Sequence, residues 1–140
     1  GPEAGGMQIN KALRTGQDKH YFDGIGKSTA LKLLDDFTNS FTLPEDIVVY
    51  RGVMESPDFT ISNLPIGTII RDKGYMSTSL DRSWAGSFTT SVWDEYGIPI
   101  ILKLVFPKGT KVGLNPVENE IIYKRESKIR IKNVVKKSFK

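Results

Sequence analysis

Asn115-Pro116-Val117-Glu118-Asn119-Glu120-Ile121-Ile122-Tyr123 organises the rest of the chain. A proline holds φ near −65° and donates no backbone hydrogen bond, so Pro116 opens a turning or extended segment rather than a helix interior. The β-branched and aromatic run Ile121-Ile122-Tyr123 favours a strand. In extended backbone, residues two apart share a face. Read as extended from Pro116 onward, the stretch projects Glu118 and Glu120 to one side and turns Asn119 away. Two adjacent carboxylates suit complementary catalytic roles.

Working outward, the residues nearest this stretch also read as strands. Tyr75-Met76-Ser77-Thr78-Ser79 follows a polar turn at Arg71-Asp72-Lys73-Gly74, which itself follows Gly67-Thr68-Ile69-Ile70. Ile47-Val48-Val49-Tyr50 is a buried strand closed by Gly52, and Ile100 to Phe106 is an apolar central strand stopped by Pro107-Lys108-Gly109. Leu114 to Val117 reads as a loop, and Ile129 to Val135 as the last strand. The first part of the chain is helical in character. Gln8 to Arg14 gives a short amphipathic helix. Ser28 is placed to cap a second helix through Phe37, with Ala30, Leu31, Leu33, Leu34 and Phe37 on its apolar face. Asp81 can cap a short helix carrying Trp84, Ala85 and Phe88. Helices first and strands afterwards predict an α+β fold.

The composition narrows the function class. With 140 residues, 39% hydrophobic and 26% charged, the chain suits one domain with its own core. It has no cysteine, which removes disulfide and thiol chemistry and leaves a structural zinc site without its usual ligands. No apolar run is long enough to cross a bilayer as a helix. Residues 1–6 read as a linker or cloning remnant, and residues 7–140 as a single domain. The net charge is +4, with basic residues crowded toward the C-terminus. There Arg130 and Lys132 alternate with Ile129 and Ile131, as on a strand with one wet face. Only Tyr123 and Phe139 offer aromatic rings there, too few for a base-stacking platform, which disfavours nucleic-acid binding. His20, the single histidine, sits in a polar stretch and reads as a surface residue.

Three motifs, Tyr50-Arg51-Gly52, Ser77-Thr78-Ser79 and Glu118-Asn119-Glu120, lie in this order on or beside strand-like segments. The set resembles the Arg, Ser-Thr-Ser and Glu-x-Glu motifs of the mono-ADP-ribosyltransferase family of bacterial exotoxins, over the span from Ile9 to Ile131. The resemblance implies a fold of N-terminal helices and two roughly perpendicular, mainly antiparallel sheets around an NAD cleft. It implies a secreted or delivered toxin or effector acting in the cytosol of a target cell. The implied reaction uses NAD as co-substrate and no metal, transfers ADP-ribose to a protein acceptor, and leaves a residual NAD glycohydrolase activity.

The same resemblance assigns roles. Glu120 is the catalytic glutamate on the nicotinamide ribose, and Glu118 orients and deprotonates the acceptor, which a Glu in that place marks as arginine. Ser77 orients Glu120. Arg51 forks onto NAD phosphate and braces the cleft, and Gly52 lets backbone approach the nicotinamide carboxamide. Phe88 packs on the nicotinamide ring, and Arg14 lies against the cofactor cleft. Relative to the family pattern, the loop before Glu118 is brief and lacks the aromatic that often reads the target protein. No Gly-rich phosphate loop of the Rossmann or Walker type is present. The competing readings are a catalytically degenerate binding module of the same fold and a basic nucleic-acid-binding domain.

Overall fold

The computed structural model describes residues 2–55, 60–83 and 98–135. The chain opens with helix α1 (Pro2–Thr15), which begins well ahead of the amphipathic stretch read from the sequence. Ile9 and Ala12 on α1 are buried, and Leu13 packs beside them, the i, i+3, i+4 spacing of one helix face. Gly16 ends the helix in the left-handed region at φ 73°, a conformation that costs a residue without Cβ nothing. Its N–H and that of Gln17 both bond the Ala12 carbonyl, at 2.9 and 3.2 Å.

A hairpin, β1 (Tyr21–Phe22) and β2 (Ile25–Gly26), leads into α2 (Lys27–Thr38). The N-cap of α2 is Gly26, without a side-chain cap, so Ser28 lies inside the first turn instead of capping it. Ala30, Leu31 and Leu34 pack with α1 against Phe22 and Tyr75. Leu33, expected on that face, is 57% exposed.

The remaining strands are β3 (Phe41–Thr42), β4 (Ile47–Glu55), β5 (Ile69–Asp72), β6 (Met76–Ser79), β7 (Ile98–Phe106), β8 (Lys111–Asn115), β9 (Glu120–Tyr123) and β10 (Ser127–Arg130). Six of them form an antiparallel sheet in the order β3-β8-β9-β6-β4-β7, while β10 and β5 pair separately as a two-stranded antiparallel ribbon. The architecture is the expected α+β arrangement of helices and mainly antiparallel sheets. No described helix is long and apolar enough to cross a membrane.

Because side chains alternate along a strand, the central strands serve two cores. Met76 and Ile121 join Leu43, Val49, Leu104, Phe106 and Val112 on one face of the large sheet. On the other face, Tyr75 and Ile122 meet α1 and α2. The face carrying Tyr75 also carries Ser77 and Ser79, so the helices cover one end of it and leave the serine end for a site.

Gly113, in the middle of β8, shows how closely α2 is seated. A Cβ added there would stand 2.4 Å from the Phe37 ring. Gly113→Ala is expected to cost about 1–3 kcal/mol through overpacking. For a domain of this size that lowers the melting temperature by ~3–12 °C, measurable by thermal unfolding. An unchanged melting temperature would mean that the ring has room to swing away.

Candidate active site

The site is assembled by the pairing of β6 with β9. The register sets Ser79 opposite Glu120 and Ser77 opposite Ile122, which makes Ser77 and Glu120 diagonal neighbours on one face. Ser77 Oγ donates to Glu120 Oε2 in a short hydrogen bond. Thr78 points the other way, is buried, and donates from Oγ1 to the Ile121 carbonyl at 2.7 Å. The Ser-Thr-Ser string therefore divides by alternation: its middle hydroxyl ties the two strands together while its first meets the carboxylate. Ser79 Oγ accepts from the Asp81 N–H at 2.9 Å and shapes the turn that leaves the strand.

Glu118 departs from the extended reading. It ends a single 3₁₀ turn, Pro116–Glu118, and Asn119 then takes a left-handed φ of 51°. Pro116 stands in the first position of that turn, where its missing N–H costs nothing, and Asn tolerates left-handed backbone better than most residues. Those preferences win over extension here. The outcome for the carboxylates is nonetheless a shared location. Glu118 and Glu120 line one hollow of about 370 Å³ together with Thr78, Ser79, Asp81, Val117 and Asn119. The Leu80 N–H bonds the Asn119 carbonyl at 3.0 Å and ties the two rims together. Glu118 itself is exposed, and Asn115 Nδ2 approaches its Oε2 at 3.4 Å.

Arg51 reaches the site from β4. The β4–β6 ladder has a single register pair, Tyr50 with Ser79. Beyond it, the Arg51 guanidinium spans to the next strand, with Nη1 donating to the Ser77 carbonyl at 2.7 Å. Burial lowers its pKa from the ordinary arginine value. The positive charge of Arg14 lowers it further, and Asp72 works in the opposite sense. Gly52 follows inside β4, opposite Ile101; the strand runs through it to Glu55 because β7 supplies backbone partners along that whole length.

Arg14, on the last turn of α1, is held bidentately by Asp72: Nε to Oδ1 at 2.9 Å and Nη2 to Oδ2 at 3.1 Å. Nη2 also donates to the Tyr75 carbonyl at 3.1 Å. One turn earlier, Asn10 accepts from the Tyr75 N–H at 2.7 Å and donates to its carbonyl at 3.1 Å. Gly74 makes this approach feasible, since a Cβ there would lie 2.7 Å from Arg14 Nε. Helix α1 thus grips the first turn of chain before Ser77. On the far side of Tyr75, its hydroxyl donates to Asp35 Oδ1 at 2.7 Å, and Arg125 forks onto the same carboxylate at 3.0 Å through Nε and Nη2. The Arg125 hydrogen bonds hold the Asp35 carboxyl below the usual range, and burial pushes the Tyr75 phenol up.

Ser77 thus links Glu120 and Arg51, Glu118 shares a hollow with Glu120, and Arg14 is electrostatically coupled to Arg51. Phe88 lies outside the described residues. Sequence reasoning gave Asp72, Asn10 and Asp81 no role at the site. The fourfold spacing of Asn10 and Arg14 was a usable signal for two polar groups on one helix face. Asp81 Oδ1 accepts from the Ser83 N–H at 2.8 Å; Trp84 and Ala85 of the short helix expected to follow it lie outside the described residues. A second hollow, of about 420 Å³ around His20, Tyr21, Lys27 and Ser28, contains none of these residues.

The ADP-ribosyltransferase exoenzyme family model matches residues 3–140, nearly the whole chain. The chain belongs to this family. Its fold is that of solved members. An ADP-ribosyltransferase from Clostridium botulinum is 22% identical with a TM-score of 0.64, over 90% of this chain and 71% of that one. The Clostridium limosum C3 exoenzyme is 24% identical with a TM-score of 0.64, over 90% and 69%. Exoenzyme S from Pseudomonas aeruginosa, solved in complex with human 14-3-3 protein beta and bound to Carba-NAD, is 23% identical with a TM-score of 0.54, over 89% and 57%. A comparison with curated proteins gave no significant match. Membership makes this chain part of a transferase family.

Proposed function

We propose that the chain is an NAD-dependent protein mono-ADP-ribosyltransferase whose acceptor is the guanidinium of an arginine. The observation that carries this reading is the hydrogen bond from Ser77 to Glu120, with Glu118 on the rim of the same hollow. Nicotinamide leaves NAD as a neutral molecule, so its bond to the ribose breaks with the electron pair going to nicotinamide. Positive charge is left on the ribose. Glu120, fixed by Ser77, bonds the 2′-hydroxyl and stabilises that charge without reorganising. The arginine nitrogen then bonds the anomeric carbon. A guanidinium is normally fully protonated and a poor nucleophile, and Glu118 takes the proton it must lose. Arg51 and Arg14 supply cationic charge for the pyrophosphate. In this reading residues 7–140 are the catalytic unit of a toxin or effector delivered to a target cell and acting in its cytosol.

The acceptor assignment is tested by incubating the protein with labelled NAD and a cell lysate, then locating the label by mass spectrometry. The label is expected on arginine. Glu118→Gln is expected to lower transfer by on the order of 100-fold or more while NAD hydrolysis changes far less, since only transfer needs the acceptor's proton removed. Label on threonine or glutamine, or equal loss of both activities, would contradict the role given to Glu118.

A further inference from the structure

We propose that the outer face of the β5–β10 ribbon is a docking surface for an anionic membrane. The register pairs Arg71 with Lys128, Ile70 with Ile129, and Asp72 with Ser127. Alternation then sends Ile69, Arg71, Lys128 and Arg130 outward, and all are exposed. The ladder continues past the ribbon's end: the Gly67 N–H bonds the Ile131 carbonyl at 2.8 Å, and the Ile131 N–H bonds the Thr68 carbonyl at 2.9 Å. Ile131 is buried, so alternation turns the exposed Lys132 to the outer face.

The charge on this face is unopposed. Among the described residues, Arg71, Lys128, Arg130 and Lys132 enter no ion pair. Asp72 is turned to the opposite face, where it holds Arg14. Glu126 sits in the turn before β10. Arg71 and Lys128 stand directly opposite each other, a pairing that destabilises a ribbon in water. An anionic partner relieves that repulsion.

The isoleucines select the partner's class. Ile69, paired with Arg130, is 44% exposed among the cations, and Ile66, in the turn that leads into β5, is 62% exposed. Basic side chains flanking exposed aliphatic ones match a membrane interface, where cations meet lipid headgroups and aliphatic chains enter the acyl boundary. A nucleic acid calls for stacking aromatics, and the outward face, Ile69, Arg71, Lys128 and Arg130, carries none.

The test is sedimentation of the full chain with phosphatidylcholine vesicles and with vesicles containing one-quarter phosphatidylserine. Binding is expected only to the anionic vesicles, and to weaken as salt is raised. Each Lys or Arg at such a surface is worth on the order of fivefold in partitioning. Replacing Arg71, Lys128, Arg130 and Lys132 together by Gln is expected to lower binding by hundreds-fold. That variant should melt no lower than the native chain, because it loses the Arg71–Lys128 repulsion. Ile66→Ser with Ile69→Ser should weaken binding at high salt as well as low. Equal binding to both vesicle types, or undiminished binding by the glutamine variant, would overturn the proposal. So would tighter binding to a single-stranded oligonucleotide or a polyglutamate peptide at the same ionic strength, which would assign the face to a nucleic acid or an acidic protein.

Discussion

Glu120→Gln is expected to lower nicotinamide release from NAD by several hundred-fold while leaving the fold intact. Removing one preorganised charge from a transition state costs about 3–4 kcal/mol of barrier. Gln is close in shape to Glu, so the loss isolates charge from packing. Ser77 donates its hydroxyl proton to Glu120, and a Gln carbonyl oxygen can still accept that bond, without the charge assistance of a carboxylate. The stability change is therefore about 1 kcal/mol or less, a shift of only a few degrees. Release of labelled nicotinamide and thermal unfolding on the same preparations separate the two effects. If the variant releases nicotinamide within tenfold of the native rate, the carboxylate is not the group that stabilises the ribose cation.

The strands around Glu120 were legible because their sequences carry strong local signals. β9 occupies Glu120–Tyr123, the segment holding the β-branched run. Met76–Ser79 falls within the strand read over Tyr75 to Ser79, and Ile98–Phe106 contains the apolar run read from Ile100. The strands that escaped notice lack such signals. β1, β2 and β3 are two residues each, too short for any alternation to show. β8 has Gly113 at its centre and Asn115 at its end, residues that favour turns. It is a strand because β9 and β3 pair with it and because only a glycine admits the Phe37 ring. Tertiary context also decided the extents of two strands. β4 continues past Gly52, and β10 stops at Arg130. At the site, the residue types and their order were readable, but the turn that places Glu118 was not. Pro116 is compatible with extension and with the first residue of a 3₁₀ turn alike, and the left-handed Asn119 resolves the choice. Asp72 and Asn10 escaped because their partners are 58 and 65 residues away in the chain.

Arg51→Met is expected to weaken NAD binding by about 10- to 100-fold, the loss of a charge-assisted hydrogen bond to phosphate, with little change in stability. The stability side follows from opposing terms. The variant forfeits the bond from Nη1 to the Ser77 carbonyl, at the point where β4 and β6 share only one register pair. It also removes a cation that burial and the nearby charge of Arg14 both disfavour, as the lowered guanidinium pKa records. Exchanging a half-buried charge for an apolar side chain of similar length is expected to cost little. Two electrostatically coupled cations, of which Arg14 alone is paired with Asp72, gain most when an anion arrives. ADP-ribose should therefore raise the melting temperature of the native chain, by the linkage between binding and folding, and raise that of the Met variant much less. Arg51→Lys is the sharper comparison. An ammonium keeps the charge but lacks the planar fork needed to bond the Ser77 carbonyl and a phosphate together. Lys should therefore fail to restore NAD affinity, and full rescue by Lys would show that charge alone, without the fork, is what the site requires.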